Sequence, residues 1–440
     1  MIDFYLNAKD PWLITEKSFN SKQLAKFESI FAQGNGKLGI RAALEEAYTK
    51  ETRNTFMAGT FNKAFENEVT ELPNLMDTSR FDVFIDGQPF SLLEGEILSY
   101  ERTLNLKNGE LTRKIQWTSP EGNVFNMTFQ RIVSMEDLHL FASKVTITLL
   151  RGTASNIEIV TGIDGKVTNS GSQHLMEARK RLFDHKILQY IAKTNQSNVT
   201  IVVNTTLKAF KDSRDITKLR KFAFDRREAM FKVPASLSEG ETLYIEKTNT
   251  YHSSRDKDDA MLSVDELSKK TKNYALNLCN IPYTTHKENT ACAWSKIWEN
   301  ESIHISSKDS FDQLAVRFAQ YHLHIMTPKH DNRMNIGAKG LTGEGYKGHT
   351  FWDSDIFILP YWTYNDPKTA RRLLEYRYLS LAGARAKAKE NGFEGAMYPW
   401  ESAWLKDGEV TPTSGGTNIL TGEPEKIITG HKEIHRYRQR

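Results

Sequence analysis

Cysteine is scarce in this chain. Its 440 residues include two cysteines, Cys279 and Cys292. Two thiols do not make a disulfide framework, and both suit a reducing cytoplasm. No apolar run approaches the roughly 18 residues of a membrane-spanning helix. The first residues have neither a basic start nor an apolar stretch, so no signal peptide is expected. These absences predict a cytoplasmic protein without a membrane partner.

An excess of one charge is also lacking. The chain has 59 basic and 55 acidic residues, which gives a formal charge of +4. The lysines and arginines are scattered along the sequence. We therefore expect no nucleic-acid partner, because such partners select for basic patches. The charged run RDKDD at 255–259 is interpreted as a solvated loop.

Hydrophobic residues make up 39% of the chain, which is enough for large buried cores and two or three domains. Up to residue 257 the apolar pattern is that of strands. Phe81, Val83 and Ile85 alternate with polar neighbours and meet Asp86-Gly87, a hairpin signal, and similar alternation and turns follow. Many short strands with regular turns predict a β-sandwich over residues 1–257.

Helical spacing replaces this alternation from residue 258 onward. The pattern predicts a helical linker over 258–305 and a further set of helices from 306. Ser310-x-x-Gln313 predicts a capping box at the start of one helix. Asp366 followed by Pro367 predicts the start of another. Residues 407–430 lack periodicity and are expected to form a loop.

Two tryptophan–carboxylate pairs are the main functional signal. Trp352-Asp353 lies in GLTGEGYKGHTFWDSD, and Trp400-Glu401 lies in YPWES. Indole faces stack on sugar rings and carboxylates accept hydrogen bonds from sugar hydroxyls, so the pairs predict a sugar pocket. The alternative is a buried aromatic ring beside a solvated acid. His349 is expected to orient Asp353 or to contact the sugar, with a structural role as its alternative.

Other motifs in the chain are weaker. Lys347 is followed by Gly348, which does not fit the phosphate-binding loop GxxxxGK[ST]. His322 and His324 are two apart on a helix and face different ways, so they are poor joint metal ligands. Glu28 and Arg41 flank a glycine-containing turn and are interpreted as a structural pair. No metal site is predicted.

Several long motifs carry a family resemblance. The runs GAKGLTGEGYKGHTFWDSDIFILPYW and LLEYRYLSLAGARAKAKENGFEGAMYPWESA resemble the first part of the catalytic domain of glycoside hydrolase family 65. ESIFAQGNGKLGIR and ERTLNLKNGELTR extend the resemblance towards the N-terminus. The family contains maltose, kojibiose, nigerose and trehalose phosphorylases. The resemblance implies an N-terminal super-β-sandwich (1–257), a helical linker (258–305) and the first part of an (α/α)6 barrel (306–440), truncated before it closes.

The resemblance also implies an activity. It is inverting phosphorolysis of an α-linked glucose disaccharide to β-glucose 1-phosphate and glucose, with inorganic phosphate as co-substrate and no cofactor. Trp352, Asp353, Trp400 and Glu401, with His349, would form the wall of the glucose subsite. Asp355 stands where the family usually has Glu, which leaves a role for that position in doubt. A homodimer is implied for the full-length family member.

The catalytic acid implied by the resemblance is a glutamate in an Asp-Glu-Tyr segment beyond Arg440. We therefore expect the 440-residue chain to be inactive as a phosphorylase, with no catalytic residue of its own. One alternative is a non-catalytic, carbohydrate-binding or inert truncated product. The other is a family 65 hydrolase that uses water in place of phosphate. The sequence does not decide which disaccharide linkage is used.

Overall fold

The computed structural model describes residues 10–65, 69–390 and 392–405, and the backbone of two short strands at Gly416–Thr417 and Pro424–Glu425. The loop predicted at 407–430 lies outside the described residues apart from these two strands. In the part of the chain that is described, no helix combines the length and the apolar character needed to cross a bilayer.

Strands dominate the chain up to residue 253. In chain order they are β1 (Leu13–Glu16), β2 (Gln33–Gly34), β3 (Leu38–Ile40), β4 (Thr55–Met57), β5 (Phe81–Ile85), β6 (Gln88–Pro89), β7 (Glu96–Asn105), β8 (Glu110–Thr118), β9 (Val124–Val133), β10 (Leu140–Arg151), β11 (Ser155–Asp164), β12 (Leu175–Phe183), β13 (Ile187–Thr194), β14 (Thr200–Lys211), β15 (Arg214–Asp215), β16 (Lys221–Asp225), β17 (Glu228–Leu237) and β18 (Thr242–Ser253).

Two antiparallel sheets share one hydrophobic core. The ten-stranded sheet has the order β1-β7-β8-β9-β10-β18-β14-β13-β12, with β15 paired to β14, and the five-stranded sheet has the order β16-β17-β11-β5-β6. Val83 and Ile159 of the smaller sheet belong to the same core cluster as Met127 and Ile245 of the larger one. Alternate residues of each strand therefore face the space between the sheets. The prediction of an antiparallel β-rich N-terminal part is confirmed.

The hairpin signals read from the sequence occur as turns. Asp86 and Gly87 connect β5 to β6 with φ values of 50° and 82°. Gly109, with φ of 72°, ends the turn between β7 and β8. Positive φ at these positions suits Asp and Gly, which tolerate the left-handed region.

Helices follow the sandwich. They are α2 (Val264–Leu278), α3 (Tyr283–Glu301), α4 (Ser310–Met326), α5 (Leu359–Asn365), α6 (Pro367–Leu379) and α7 (Leu381–Glu390); α1 (Leu24–Ile30) lies earlier in the chain. A two-stranded ribbon of β19 (Thr350–Phe351) and β20 (Glu401–Ser402) spans this region, and β21 (Gly416–Thr417) pairs with β22 (Pro424–Glu425). Helices after a β-rich part agree with the predicted order, and the incomplete (α/α)6 barrel stays a prediction.

The N-cap of α6 is the residue predicted from the sequence, and the N-cap of α4 is not. Asp366 caps α6 by accepting a hydrogen bond from the Thr369 amide at 3.2 Å, as predicted. The cap of α4 was expected at Ser310, but Asp309 occupies it and accepts from the Phe311 amide at 2.9 Å. Ser310 is instead the first helical residue. An aspartate one position earlier offers a carboxylate to the same free amides, so the capping-box prediction is wrong by one residue.

Aromatic stacking joins the helices to the sandwich. The Trp294 ring, 1% exposed, lies between Trp298 at 5.6 Å and Tyr321 at 5.1 Å, with both pairs nearly parallel. Leu104 and Leu111 of the larger sheet belong to the same cluster. The turn between β2 and β3 also meets the end of α4, because the Gly36 amide donates to the Ile325 carbonyl at 2.8 Å. These contacts fix the N-terminal part against α3 and α4.

Candidate sugar-binding site

The ribbon of β19 and β20 brings the two tryptophan–carboxylate pairs together. Thr350 pairs with Ser402, and Phe351 pairs with Glu401. The next step of this register places Trp352 opposite Trp400, so both indoles lie on the same face. Their ring centroids are 5.4 Å apart at an interplanar angle of 65°. The edge-to-face contact holds two half-buried rings in one aromatic surface.

More aromatic rings extend this surface. Phe351 contacts Trp400 at 6.1 Å with perpendicular rings. Tyr346 meets the Phe351 ring at 5.3 Å, also nearly perpendicular, and is 58% exposed. Pockets for small polar ligands are commonly lined by aromatic faces with a few placed polar groups. The arrangement therefore has the composition expected of a sugar-binding wall.

Glu401 is held by His349. The Glu401 Oε2 atom lies 2.8 Å from His349 Nδ1, and the other ring nitrogen, Nε2, lies 2.5 Å from the Thr70 carbonyl oxygen. His349 is fully buried. The expectation that His349 orients Asp353 is wrong, because its carboxylate partner is Glu401, on the neighbouring strand. The imidazole ties this carboxylate to the N-terminal part of the chain.

Asp353 occupies a different environment. It is exposed and precedes the π-helical turn Ser354–Ile358, where its side chain makes no capping hydrogen bond. The prediction that Asp353 and Glu401 bind hydroxyls of one sugar stays a prediction. The structure does place Asp353 directly after Trp352, on the same segment as the aromatic surface.

Asp355 and Arg377 fasten the ribbon to α6. Arg377 Nε and Nη2 lie 3.0 Å and 2.6 Å from Asp355 Oδ2. The same guanidinium donates to the Phe351 carbonyl at 3.2 Å and to Ser402 Oγ at 3.3 Å. Arg377 thus contacts both strands of the ribbon. Asp355, whose role the sequence left open, is the counter-ion of this clamp.

The N-terminal part supplies contacts that the sequence did not reveal. Lys347 Nζ lies 3.4 Å from Glu71 Oε2, and Glu71 Oε1 lies 2.8 Å from His174 Nε2. Burial raises the pKa of Glu71, but the hydrogen bond from His174 and the positive charge of Lys347 more than offset it, so its pKa lies below the usual value. The Leu72 amide also donates to the Lys347 carbonyl at 2.9 Å. No spacing in the sequence marks these pairs.

Glu344 is also held by the sandwich. It accepts hydrogen bonds from Asn54 Nδ2 at 3.0 Å and Ser170 Oγ at 2.6 Å. Another predicted pair is confirmed nearby, since Arg41 Nε lies 3.2 Å from Glu28 Oε2. The glycine-rich segment before β19 is therefore held to the N-terminal part at Glu344 and at Lys347.

A cavity of about 740 Å³ adjoins this region. Its lining includes Thr70, the residue that contacts His349, and Trp404, which follows β20. Arg255 lies 4.8 Å over the Trp404 ring, and Arg333 and Lys63 add positive charge. A cation over an indole beside further basic groups suits a polar or anionic ligand.

A histidine cluster lies where the charged run 255–259 was expected to be a solvated loop. The run does form turns with Lys257 and Asp258 exposed, but it is not wholly solvated, because Asp256 is 2.8 Å from the Lys37 ammonium, which also lies 3.1 Å from His139 Nε2. His139 and His252 stack at 3.9 Å and 14°. Ligand atoms of His139, His252 and Asp256 lie within 4.8 Å of one another, and the Lys37 ammonium contacts both His139 and Asp256.

The described fold is a large antiparallel β-domain followed by helices, with an aromatic surface on the ribbon of β19 and β20. Residues 14–297 match the family description glycosyl hydrolase family 65, N-terminal domain, and residues 317–439 match the central catalytic domain of the same family. The chain therefore belongs to glycoside hydrolase family 65.

Relatives of this chain include characterised types of phosphorylase. It is 42% identical to a kojibiose phosphorylase of Halothermothrix orenii over 96% of this chain and 54% of the relative. It is 36% identical to a kojibiose phosphorylase of Escherichia coli over 97% of this chain and 55% of the relative. An alpha,alpha-trehalose phosphorylase of Thermoanaerobacter brockii is 30% identical over 89% of this chain and 53% of the relative. The chain spans about half the length of these curated relatives.

A solved structure shares the fold. It is a kojibiose-phosphorylase-like protein from the human microbiome, with a TM-score of 0.82 and 19% identity. The match covers 92% of this chain and 53% of that protein. At this identity the likeness concerns the fold.

Proposed function

We propose that this chain provides the glucose-binding wall of a disaccharide phosphorylase. The observation that carries the proposal is the contact between Trp352 and Trp400 across the ribbon, with Glu401 fixed behind it by His349. The reaction would be inverting phosphorolysis of an α-linked glucose disaccharide to β-glucose 1-phosphate and glucose. Kojibiose is the first substrate to test, because two relatives that align along nearly all of this chain carry that name.

The chemistry of such a site divides into three tasks. A wall must hold the glucose ring, an acid must protonate the leaving oxygen, and a nucleophile must attack from the opposite face of the ring. Inorganic phosphate is the nucleophile, so the reaction needs no cofactor. The indoles would stack on the ring while Asp353 and Glu401 accept its hydroxyls. In the family, the acid lies in a segment that aligns beyond Arg440 of this sequence.

The domain division is proposed on the same grounds. Residues 1–257 would be the family's β-sandwich, 258–305 the linker and 306–440 the first part of an (α/α)6 barrel, to which α4, α5, α6 and α7 would belong. A homodimer and a cytoplasmic location are further proposals from the family.

Sugar binding tests the proposal directly. Calorimetric titration of the protein with glucose and kojibiose should show saturable binding. Trp400→Ala should weaken it about ten- to a hundredfold, because the wall loses one aromatic face. Tyr364→Ala is the matched control, since Tyr364 is an aromatic residue on α5 that is 88% exposed. Equal affinities of both variants, or no saturable binding to the parent protein, would contradict the proposal.

Turnover assays distinguish the reaction types. The protein is incubated with kojibiose, nigerose, trehalose or maltose, with and without phosphate. Release of glucose without phosphate would favour hydrolysis over phosphorolysis. Formation of β-glucose 1-phosphate by the 440-residue protein would place the acid within these residues, with Glu344 and Glu401 as the carboxylates to substitute first.

A further inference from the structure

The buried His349 imidazole lies between two hydrogen-bond acceptors. Its Nε2 atom faces the Thr70 carbonyl oxygen, and its Nδ1 atom faces Glu401 Oε2. A carbonyl oxygen can only accept, so Nε2 must carry a hydrogen. In a neutral imidazole Nδ1 would then be a lone pair, pointing at a carboxylate oxygen 2.8 Å away. Two lone pairs would oppose each other inside the protein, where such contacts are most unfavourable.

Two other histidines, the buried His174 and the half-buried His139, show which partners suit a neutral ring. His174 lies 2.9 Å from the Asn62 amide nitrogen at Nδ1 and 2.8 Å from Glu71 at Nε2. His139 faces the Tyr251 carbonyl at Nδ1 and the Lys37 ammonium at Nε2. Each has one donor and one acceptor as partners, which suits a ring with a single N–H. His349 differs because both of its partners are acceptors.

We propose that His349 is an imidazolium, with one N–H donated to Thr70 and the other to Glu401. The pair then holds two protons, one more than a neutral imidazole and a carboxylate would hold. The extra proton belongs on the ring, because imidazole is more basic than a carboxylate. His349 is thus a positioning residue whose positive charge keeps Glu401 ionised and fixed in orientation. Its importance for sugar binding rests on the proposed function; its charge state does not.

This arrangement gives the N-terminal part a role in the site. The Thr70 carbonyl orients the ring, and the ring orients Glu401. A charge-assisted hydrogen bond is about twice as strong as a neutral one, so a charged His349 restricts the carboxylate more than a neutral one could. Glu401 is then held in one orientation, which hydroxyl recognition requires.

Nitrogen NMR of the histidine rings tests the charge state. The protein is labelled with ¹⁵N-histidine, and the His349 signals are assigned by their loss in His349→Gln. His349 should show two protonated ring nitrogens, and His174, the internal control, should show one. A single protonated nitrogen at His349 would overturn the proposal. This holds whether Glu401 is ionised beside a neutral His349 or carries the second proton itself.

Glu401→Gln gives a second and independent readout. An amide side chain of nearly the same shape can donate to Nδ1, so His349 should change to the form with one protonated nitrogen while His174 stays unchanged. An unchanged His349 spectrum would also overturn the proposal. In binding assays, His349→Gln should weaken glucose binding about tenfold, as expected for loss of one charge-assisted bond. If the imidazolium is observed but no sugar binds, the proposed function fails while the charge assignment stands.

Discussion

Removal of the Arg377 clamp should loosen the ribbon of β19 and β20. Arg377 has a 12% exposed side chain and its guanidinium contacts Asp355 twice, the Phe351 carbonyl and Ser402 Oγ. Hydrogen bonds that involve a charged group contribute about 1.5–3 kcal/mol, and neutral ones about 1 kcal/mol. Asp355 is 29% exposed, so water can rehydrate it after the substitution and reduce the loss. We expect Arg377→Ala to lower the local opening free energy by about 2–3 kcal/mol.

Hydrogen exchange with mass spectrometry measures this local effect. A loss of that size should accelerate amide exchange in β19 and β20 by about 30- to 150-fold, while β10 and β18 keep their rates. Arg371→Ala is the matched control on the same helix. Arg371 is 81% exposed and pairs with Glu375 one turn away, and such an exposed ion pair contributes little to stability. Equal exchange of the ribbon in both variants would refute the clamp.

Two further predictions concern the sandwich and its junction with the helices. Burial lowers the pKa of Lys247 to about 7. Because the unfolded chain holds the Lys247 proton more tightly, the free energy of unfolding should rise between about pH 7 and 10.5, by up to about 5 kcal/mol. Urea unfolding measures this rise, and Lys247→Met should abolish it. Gly36→Ala should lower the melting temperature more than Gly87→Ala. Both glycines have positive φ, but a Cβ at Gly36 would lie 2.0 Å from the Thr327 carbonyl oxygen, whereas at Gly87 it meets open space. Equal melting temperatures would contradict the close approach.

Local signals in the sequence were sufficient for most elements of the fold. Alternation at Phe81, Val83 and Ile85 with Asp86-Gly87 marked a hairpin, because a strand's period and its turn both depend on neighbouring residues. Asp366 marked the start of α6 for the same reason. The cap of α4 was misplaced by one residue, since Asp309 and Ser310 are both acceptable caps and sequence alone does not rank them.

The site was predictable only as two separate segments. The sequence marked Trp352 and Trp400 as candidates, but their contact depends on a strand pairing that spans the intervening helices. The partners of His349 are also distant in sequence: Thr70 precedes it by 279 residues and Glu401 follows it by 52. No local periodicity encodes such pairs. They arise from the way the segment before β19 packs on the sandwich.

A crystal structure of the protein with kojibiose bound tests the central claim most directly. The account predicts a glucose ring stacked on the surface formed by Trp352 and Trp400, with Glu401 within hydrogen-bond distance of a ring hydroxyl and still in contact with His349. A disaccharide bound at another place on the chain, with this aromatic surface unoccupied, would contradict the account.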